Sequence, residues 1–277
     1  MTRRHTMALG LLLSCSLGTG TATAQIRGDA GFTADTLGGG DDNSTGFLGL
    51  PFLVNFFGTS YTGLYVNKNG NVTFNGPSRA SYPTRITDPG TPVLAPFYGD
   101  VVTGFRGYVE GENVTYGTSM IGGRSTFGVN WLGVGYFGYR DLRNDFQLVL
   151  VDRGDIAAGD FDFEFNYGRI QWESTGDGQC DPGEWWCVTA RVGWAAGGRE
   201  YEVPGSGVAG ALVDGGPNSL SAAQRYAFQA RGGQISSLAA EPDPQAVPEP
   251  ATMILLGSGL AGVAAARRRR RREAAAE

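Results

Sequence analysis

The side chains that most often carry out catalysis are scarce in this chain. Its only histidine is His5, and its three cysteines are Cys15, Cys180 and Cys187. Because no histidine follows residue 5, the rest of the chain cannot form a Ser-His-Asp triad, a Cys-His pair or a His-ligated zinc site. A Walker loop and a Gly-x-Gly-x-x-Gly unit between strand and helix are absent as well. We therefore expect a protein that is not an enzyme, with no catalytic, cofactor-binding or metal-ligating residues.

Carboxylates leave two alternatives open. Most glycoside hydrolases use a pair of acidic side chains, and a chain with 27 Asp and Glu residues always contains such pairs. Two acidic stretches, Asp152 to Asp162 and DGQCDPGE from Asp177 to Glu184, bring together oxygens of the kind that calcium binds. Neither stretch follows the spacing of an EF-hand loop. A carboxylate-based glycosidase and a Ca²⁺ site are thus the alternatives to a domain without chemistry.

Cys180 and Cys187 enclose the sequence CDPGEWWC and are predicted to form a disulfide. An isolated cysteine pair in an exported chain is typically oxidised. Closing so short a loop stabilises the fold by roughly 2–2.5 kcal/mol on the chain-entropy estimate. Trp185 and Trp186 in this loop have two interpretations. Their rings pack onto the sheet and the loop, or they form an exposed platform on which sugar rings stack.

The first 24 residues have the three parts of an export signal. Arg3 and Arg4 supply positive charge, Met7 to Leu13 is a short apolar run, and Ala22-Thr23-Ala24 is an A-x-A cleavage site. Cleavage is predicted between Ala24 and Gln25. The alternative is a lipoprotein signal with Cys15 as the acylated residue, although the preceding Leu12-Leu13-Ser14 fits that motif poorly.

The C-terminus consists of a short apolar segment followed by arginines. Ala251 to Ala266 carries no charge, but a helix of these 16 residues spans about 24 Å, less than the ~30 Å hydrocarbon core of a bilayer. A positive cluster beside an apolar segment stays on the cytoplasmic side. We predict a short C-terminal transmembrane helix that halts export temporarily. Its cytoplasmic stop consists of Arg267, Arg268, Arg269, Arg270, Arg271 and Arg272.

Pro248, Glu249 and Pro250 stand directly before this segment. The Pro-Glu-Pro motif, the Gly-containing apolar segment and the arginine cluster together resemble the PEP-CTERM sorting signal of Gram-negative bacteria. The resemblance implies an exosortase as partner, an enzyme thought to cut near the motif and to release or re-anchor its substrate at the surface. It also implies a transient stage in the inner membrane and an association with bacteria that make exopolysaccharide.

The charge of the exported part excludes some partners. Without the signal peptide and the residues after Pro250, the chain keeps 14 of its 22 basic and 25 of its 27 acidic side chains, a net charge of −11. Nucleic acids and anionic lipids require a basic surface, so we expect neither as a stable partner. Lys68 is the only lysine.

The middle of the chain has the pattern of an all-β domain. Its 45 glycines indicate many turns, and its apolar residues come in short alternating or continuous runs. The clearest hairpin is LYVNKNGNVTF from Leu64 to Phe74, with its turn at Asn69-Gly70 and positive φ angles expected at Asn67, Asn69 and Gly70. Only Ser219 to Phe228 resembles a helix. The inward positions of one strand are predicted to be Phe163, Phe165, Tyr167 and Ile170.

Five segments carry a second resemblance. In order, they are GLYVNKNGNVTFN, VLAPFYGDVVT (Val93 to Thr103), NDFQLVLVDRGD, FEFNYGRIQW and YEVPGS. Together they are similar to the NIDO domain, an extracellular module of nidogen, alpha-tectorin and many bacterial surface proteins. The second segment departs from the usual APFWADVDT at Tyr98, Gly99 and Val102, which puts in doubt any contact that an acid at position 102 makes. The resemblance implies structural or adhesive work outside the cell and no catalytic residues.

These observations predict the organisation of the whole chain. The fold class is all-β, an antiparallel β-sandwich-like single domain. Residues 1–24 form a signal peptide, 25–232 the NIDO-like domain, 233–246 a flexible linker, 247–272 the sorting signal and 273–277 a cytoplasmic tail. The predicted function is that of an exported surface or matrix protein associated with exopolysaccharide or other surface proteins. A carbohydrate-binding module is the first alternative.

Overall fold

Short apolar runs separated by glycine-rich turns give a structure made almost entirely of strands. The computed structural model of the chain describes residues 26–78, 80, 85–86, 91–104, 113–137, 139–174 and 188–238. The strands are β1 (Asp35–Leu37), β2 (Leu48–Phe56), β3 (Thr59–Asn67), β4 (Asn71–Thr73), β5 (Val93–Tyr98), β6 (Val101–Val102), β7 (Val114–Ile121), β8 (Arg124–Tyr136), β9 (Tyr139–Asp152), β10 (Phe161–Ile170), β11 (Arg191–Ala196), β12 (Arg199–Glu202), β13 (Arg225–Arg231) and β14 (Gln234–Ser237). The helical elements in this part of the chain are a 3-10 turn at Ala30–Thr33 and α1 (Leu220–Ala223).

The strands form two antiparallel sheets. One sheet has eight strands. Seven of them have the order β1-β7-β8-β9-β10-β13-β14, and the eighth, β6, pairs with the C-terminal end of β8. A six-stranded sheet has the order β12-β11-β5-β4-β3-β2. The prediction of an all-β antiparallel fold is therefore confirmed.

The inner faces of the two sheets share one hydrophobic core. Aromatic rings meet across the interface: Phe56 of β2 lies 6.3 Å from Phe161 of β10, and Phe97 of β5 lies 5.2 Å from Phe146 of β9. Ring pairs at such separations add to the free energy gained by burying their area. Alternation along β10 produces this face, and its predicted inward residues are all fully buried: Phe163, Phe165, Tyr167 and Ile170.

The predicted hairpin is present, with a different turn chemistry. β3 and β4 pair through Tyr65 with Thr73 and Asn67 with Asn71, so Lys68, Asn69 and Gly70 form the connection. Of the three residues expected at positive φ, only Gly70 has it, at 76°. Asn67 and Asn69 instead use their amide side chains in hydrogen bonds.

The helix predicted for Ser219 to Phe228 is wrong beyond its first turn. Ser219 caps α1 through a hydrogen bond from the Ala222 N–H, and the chain then continues as β13. Pairing with β10 decides this, because Phe228 lies opposite Phe163 and joins the core. The following strand, β14, occupies Gln234–Ser237, inside the segment predicted as linker.

The N-terminal segment of the described chain packs on the outer face of the eight-stranded sheet. The Arg27 guanidinium donates two hydrogen bonds of 2.8 Å to the Glu164 carboxylate. The backbone N–H and carbonyl of Arg27 both hydrogen-bond to the side-chain amide of Gln147. Phe32 is fully buried there. These contacts make residues 27–32 part of the fold.

The two predicted ends of the chain lie outside the described residues. They comprise the signal peptide and the segment from residue 239 onward, including the predicted sorting signal. Among the residues that are described, no helix has the length and hydropathy needed to cross a membrane.

Candidate functional site

The tip of the β3–β4 hairpin carries polar side chains and is nevertheless buried. Lys68 is 0% exposed, and its ammonium donates hydrogen bonds of 2.6 Å to the Gly38 carbonyl and to Thr103 Oγ1. Its own carbonyl accepts from the Trp131 indole at 3.0 Å. The only lysine of the chain thus lies inside the protein and joins the hairpin to two other segments.

Asn69 continues this junction. Its amide donates to Asp42 Oδ1 at 2.7 Å and its amide oxygen accepts from the Val101 N–H at 3.1 Å. Gly70 closes the tip with its backbone against β5, since the Phe97 N–H donates to the Gly70 carbonyl at 3.2 Å. The hairpin tip is therefore held between the loop after β1 and the turn between β5 and β6.

The loop after β1 reads Gly-Gly-Gly-Asp-Asp from residue 38 to 42. Gly40 pairs with Thr103 through backbone hydrogen bonds in both directions. Asp42 has a positive φ of 54°. The carbonyl of the next residue, Asn43, accepts a hydrogen bond from the Lys68 N–H at 2.8 Å. This geometry presents Asp41 and Asp42 to the turn that carries Asp100.

Asp41, Asp42 and Asp100 form one cluster. One carboxylate oxygen from each lies within 4.8 Å of the others, and Asp100 is only 6% exposed. Within the described part of the chain, Asp41 Oδ1 and Asp100 Oδ1 are buried and have no hydrogen-bond partner. Three acids from two distant segments thus converge with two oxygens unpaired.

The electrostatics of the cluster follow from burial and crowding. Burial raises the pKa of Asp100 to about 7, and the nearby Asp41 and Asp42 charges add to this. Burial and the Asp42 charge also raise the pKa of Asp41. Burial lowers the pKa of Lys68 to about 8, although the negative charge of Asp41 opposes that shift. Burial therefore destabilises the charged form of each of these three groups.

The arrangement suits the binding of a hard cation. All of its donors are oxygens, and oxygen ligands select Ca²⁺, Mg²⁺ or Mn²⁺ over the softer transition metals. No other group of three or more potential metal ligands occurs among the described residues.

The acidic stretch from Asp152 to Asp162, which the sequence marked as a calcium alternative, has other roles. Arg153 contacts both Asp155, at 3.4 Å, and Asp162, at 2.6 Å, and Arg231 donates to Asp162 at 2.5 Å. Asp152 accepts from the Gly154 N–H at 2.8 Å. This stretch is thus a network of ion pairs and turn hydrogen bonds. The second stretch, Asp177 to Glu184, lies outside the described residues.

The other predicted site residues also lie outside the described part of the chain. They are Ala24, Gln25, Cys180, Trp185, Trp186, Cys187, Pro248, Glu249, Pro250 and Arg267 to Arg272. The disulfide, the sugar platform and the sorting motif therefore stay predictions from sequence.

Sequence reasoning missed the Asp41–Asp42–Asp100 cluster. Two signals for it were present: the Gly-Gly-Gly-Asp-Asp run, and Asp100 within the second segment of the resemblance. Val102, where an acid was noted as missing, is 1% exposed in β6 and pairs with Gly135. The acids next to Asp100 are supplied by a different segment.

Comparisons with known proteins identify two parts of the chain. A family model described as NIDO related matches residues 15–179, and a PEP-CTERM protein-sorting motif matches residues 246–271. Alpha-tectorin of Mus musculus is 30% identical over 224 residues, covering 70% of this chain and 10% of that protein. Nidogen of Drosophila melanogaster is 28% identical over 196 residues, covering 60% of this chain and 13% of that protein. No solved structure matches.

The chain belongs to the NIDO-related family, because that family model covers more than half of its length. It spans only about a tenth of the curated relatives that it matches. Its C-terminal motif confirms the resemblance to the PEP-CTERM signal.

Proposed function

We propose that this protein is a non-enzymatic structural or adhesion protein of the bacterial surface or extracellular matrix. An exosortase sorts it there, and it associates with exopolysaccharide or with other surface proteins. The observation that carries the proposal is the presence, in one chain, of a NIDO-related domain and a PEP-CTERM motif.

The described domain supports a passive role. Many of its aromatic side chains pack in the core between the two sheets. Several charged side chains on its surface form ion pairs, such as Arg169 with Asp145 at 2.7 Å and Arg191 with Glu202 at 3.0 Å. The β-sandwich-like arrangement of its sheets is a common architecture for extracellular modules.

The sorting step gives the sharpest test of the proposal. An exosortase that recognises Pro248-Glu249-Pro250 removes the apolar segment and the arginines after it. In the native host, mass spectrometry of surface-located protein should recover no peptides from residues 251–277. Abundant peptides from that range in surface protein would overturn the sorting part of the proposal.

The chain offers a matched control for this test. Pro242-Asp243-Pro244 is a second proline–acid–proline unit, directly upstream of the motif. Replacing Pro248-Glu249-Pro250 with three alanines should leave an uncut form in the inner membrane. The same replacement at Pro242-Asp243-Pro244 should leave processing unchanged, because the unit lacks the adjoining apolar segment.

Matrix association requires a separate measurement. The wild-type protein should sediment with the host's own exopolysaccharide or with its surface fraction, and it should release no sugars from that polysaccharide. Release of reducing ends would establish a carboxylate-based glycosidase in its place. Stoichiometric binding to defined glycans on an array would assign the carbohydrate-binding alternative.

A further inference from the structure

We propose that Asp41, Asp42 and Asp100 form a binding site for one Ca²⁺ ion, a site that fastens the β1–β2 loop to the β5–β6 turn and the tip of the β3–β4 hairpin. The three carboxylates come from two segments that no local motif connects. The inference stands on the geometry of these residues and does not depend on the proposed surface function.

The unpaired carboxylate of Asp100 is the second observation that points to a ligand. Asp100 is only 6% exposed, and its Oδ1 has no hydrogen-bond partner in the described chain. A buried acceptor without a hydrogen bond costs free energy, and a buried charge costs more. A cation placed between the carboxylates removes this cost.

Other buried acids of the described chain show what a purely structural carboxylate looks like. Glu173 is 2% exposed, and it accepts from the backbone N–H groups of Gly210 and Leu212. Asp160 is 3% exposed and accepts from the Gly232 N–H at 2.8 Å. Their oxygens accept hydrogen bonds from the protein itself, whereas Asp41 Oδ1 and Asp100 Oδ1 are buried without a hydrogen-bond partner in the described chain.

The charge and the burial of the site favour Ca²⁺. When all three carboxylates are ionised, they and the Lys68 ammonium carry a net charge of −2, which one divalent ion neutralises. The carboxylate oxygens lie within 4.8 Å of one another, close enough to bind one ion. Ca²⁺ accepts oxygen ligands in flexible geometry, whereas Mg²⁺ requires a near-ideal octahedron and gives up its waters reluctantly, so a partly buried set of carboxylates favours Ca²⁺.

The site also has a structural consequence. Gly40 and Thr103 pair through their backbones beside it, and Lys68 donates to both Gly38 and Thr103. Ca²⁺ at the carboxylates adds direct bonds between the same segments. We therefore expect Ca²⁺ to stabilise the folded chain, with an affinity in the range of extracellular modules, on the order of 10⁻⁴–10⁻³ M.

The test measures thermal unfolding and calorimetric binding of the full chain after treatment with EDTA, with CaCl₂ as the probe. Wild type should bind one Ca²⁺ per chain, and its Tm should rise by roughly 5–10 °C when free Ca²⁺ is about a hundred times Kd. MgCl₂ at the same concentration should raise Tm by less than half as much. Asp100→Asn should lose at least 90% of the Ca²⁺ affinity, and the matched control Asp160→Asn should retain it.

Measurements in EDTA distinguish a ligand from a structural carboxylate. Without Ca²⁺, Asp100→Asn replaces a buried carboxylate that has an unpaired oxygen, so its Tm should equal or exceed that of wild type. A structural role for Asp100 instead predicts a lower Tm in EDTA as well as in Ca²⁺, and that result would overturn the proposal. Absence of Ca²⁺ binding by wild type, unchanged binding by Asp100→Asn, or stronger binding of Mg²⁺ would also overturn it.

Discussion

Phe32 occupies the space that a side chain at residue 128 would fill. A Cβ atom built on Gly128 of β8 would overlap the Phe32 ring, and Phe32 is fully buried in that position. Beside it, the Phe32 carbonyl accepts from the Asn130 amide at 3.1 Å. Glycine at 128 therefore creates the recess by which the N-terminal segment attaches to the eight-stranded sheet.

This relationship predicts a coupled pair of substitutions. Phe32→Ala should lower the free energy of unfolding by about 3–5 kcal/mol, because it empties a buried aromatic site. Gly128→Ala should also destabilise, by about 1–3 kcal/mol, since it overpacks the same recess. The double variant should be less destabilised than the sum of the two, as measured by denaturant unfolding. Gly49→Ala in β2, where a Cβ meets nothing within 4 Å, is the control and should change stability little. Strict additivity would contradict the assignment.

A side chain at Gly70 would meet both backbone strain and a steric clash, whereas a side chain at Gly58 would meet the strain alone. The Gly70 φ of 76° is strained for other residues, and an added Cβ there would collide with the Phe97 carbonyl. Gly58, in the β2–β3 turn, has a φ of 84° but open space around its Cβ. Gly58→Ala should therefore cost about 1–2 kcal/mol from backbone strain alone. Gly70→Ala should cost more, by at least ~1 kcal/mol, and equal losses for the two variants in urea unfolding would refute the steric part of the argument.

Cys180 and Cys187 are predicted to be bridged in the exported protein. Intact-mass analysis after alkylation without reductant should detect no labelled thiol at either residue. A Cys180→Ser, Cys187→Ser double variant should lose roughly 2–2.5 kcal/mol of stability, the chain-entropy value for so short a loop. Two labelled thiols in protein recovered from the native host would show that the pair is reduced.

Local pattern was sufficient for the strands whose partners are close in sequence. Leu64, Val66 and Val72 alternate around an Asn-Gly turn, so the hairpin and its buried face follow from the sequence alone. Phe163 and Phe165 likewise repeat at the strand period and both lie in the core. Alternation was therefore enough to predict the pairing, even though Asn67 and Asn69 lack the positive φ expected of them.

Contacts between distant segments were decisive elsewhere. Arg225–Arg231 begins after a genuine helical turn, but pairing with β10 extends the chain because Phe228 gains a place against Phe163. The cluster of Asp41, Asp42 and Asp100 depends on the Gly40–Thr103 bridge, which joins two segments with no shared pattern. A one-dimensional pattern gives which face is apolar, and it does not give which loops meet.

Glu202 gives a prediction of pH dependence. Burial acts to raise the pKa of its carboxyl, but donors from the Ile86 N–H, the Ser206 hydroxyl and Arg191 outweigh burial and hold the pKa below its usual value. A lowered folded-state pKa stabilises the protein above the unfolded-state pKa of about 4.3, and this contribution is lost as pH falls through the folded-state value. Glu202→Gln should therefore lower the free energy of unfolding at pH 7 by roughly 1–2 kcal/mol. This value allows for solvent screening, because the Glu202 side chain is 21% exposed. The difference from wild type should shrink as the pH is lowered below 4, when measured by urea unfolding at each pH.

Glu200→Gln is the control. It lies on the same strand, but its partner Arg85 is exposed, so this variant should show a smaller effect at pH 7. A Glu202→Gln deficit that stays constant from pH 7 to pH 3 would show that the charge of Glu202 is not what stabilises β12.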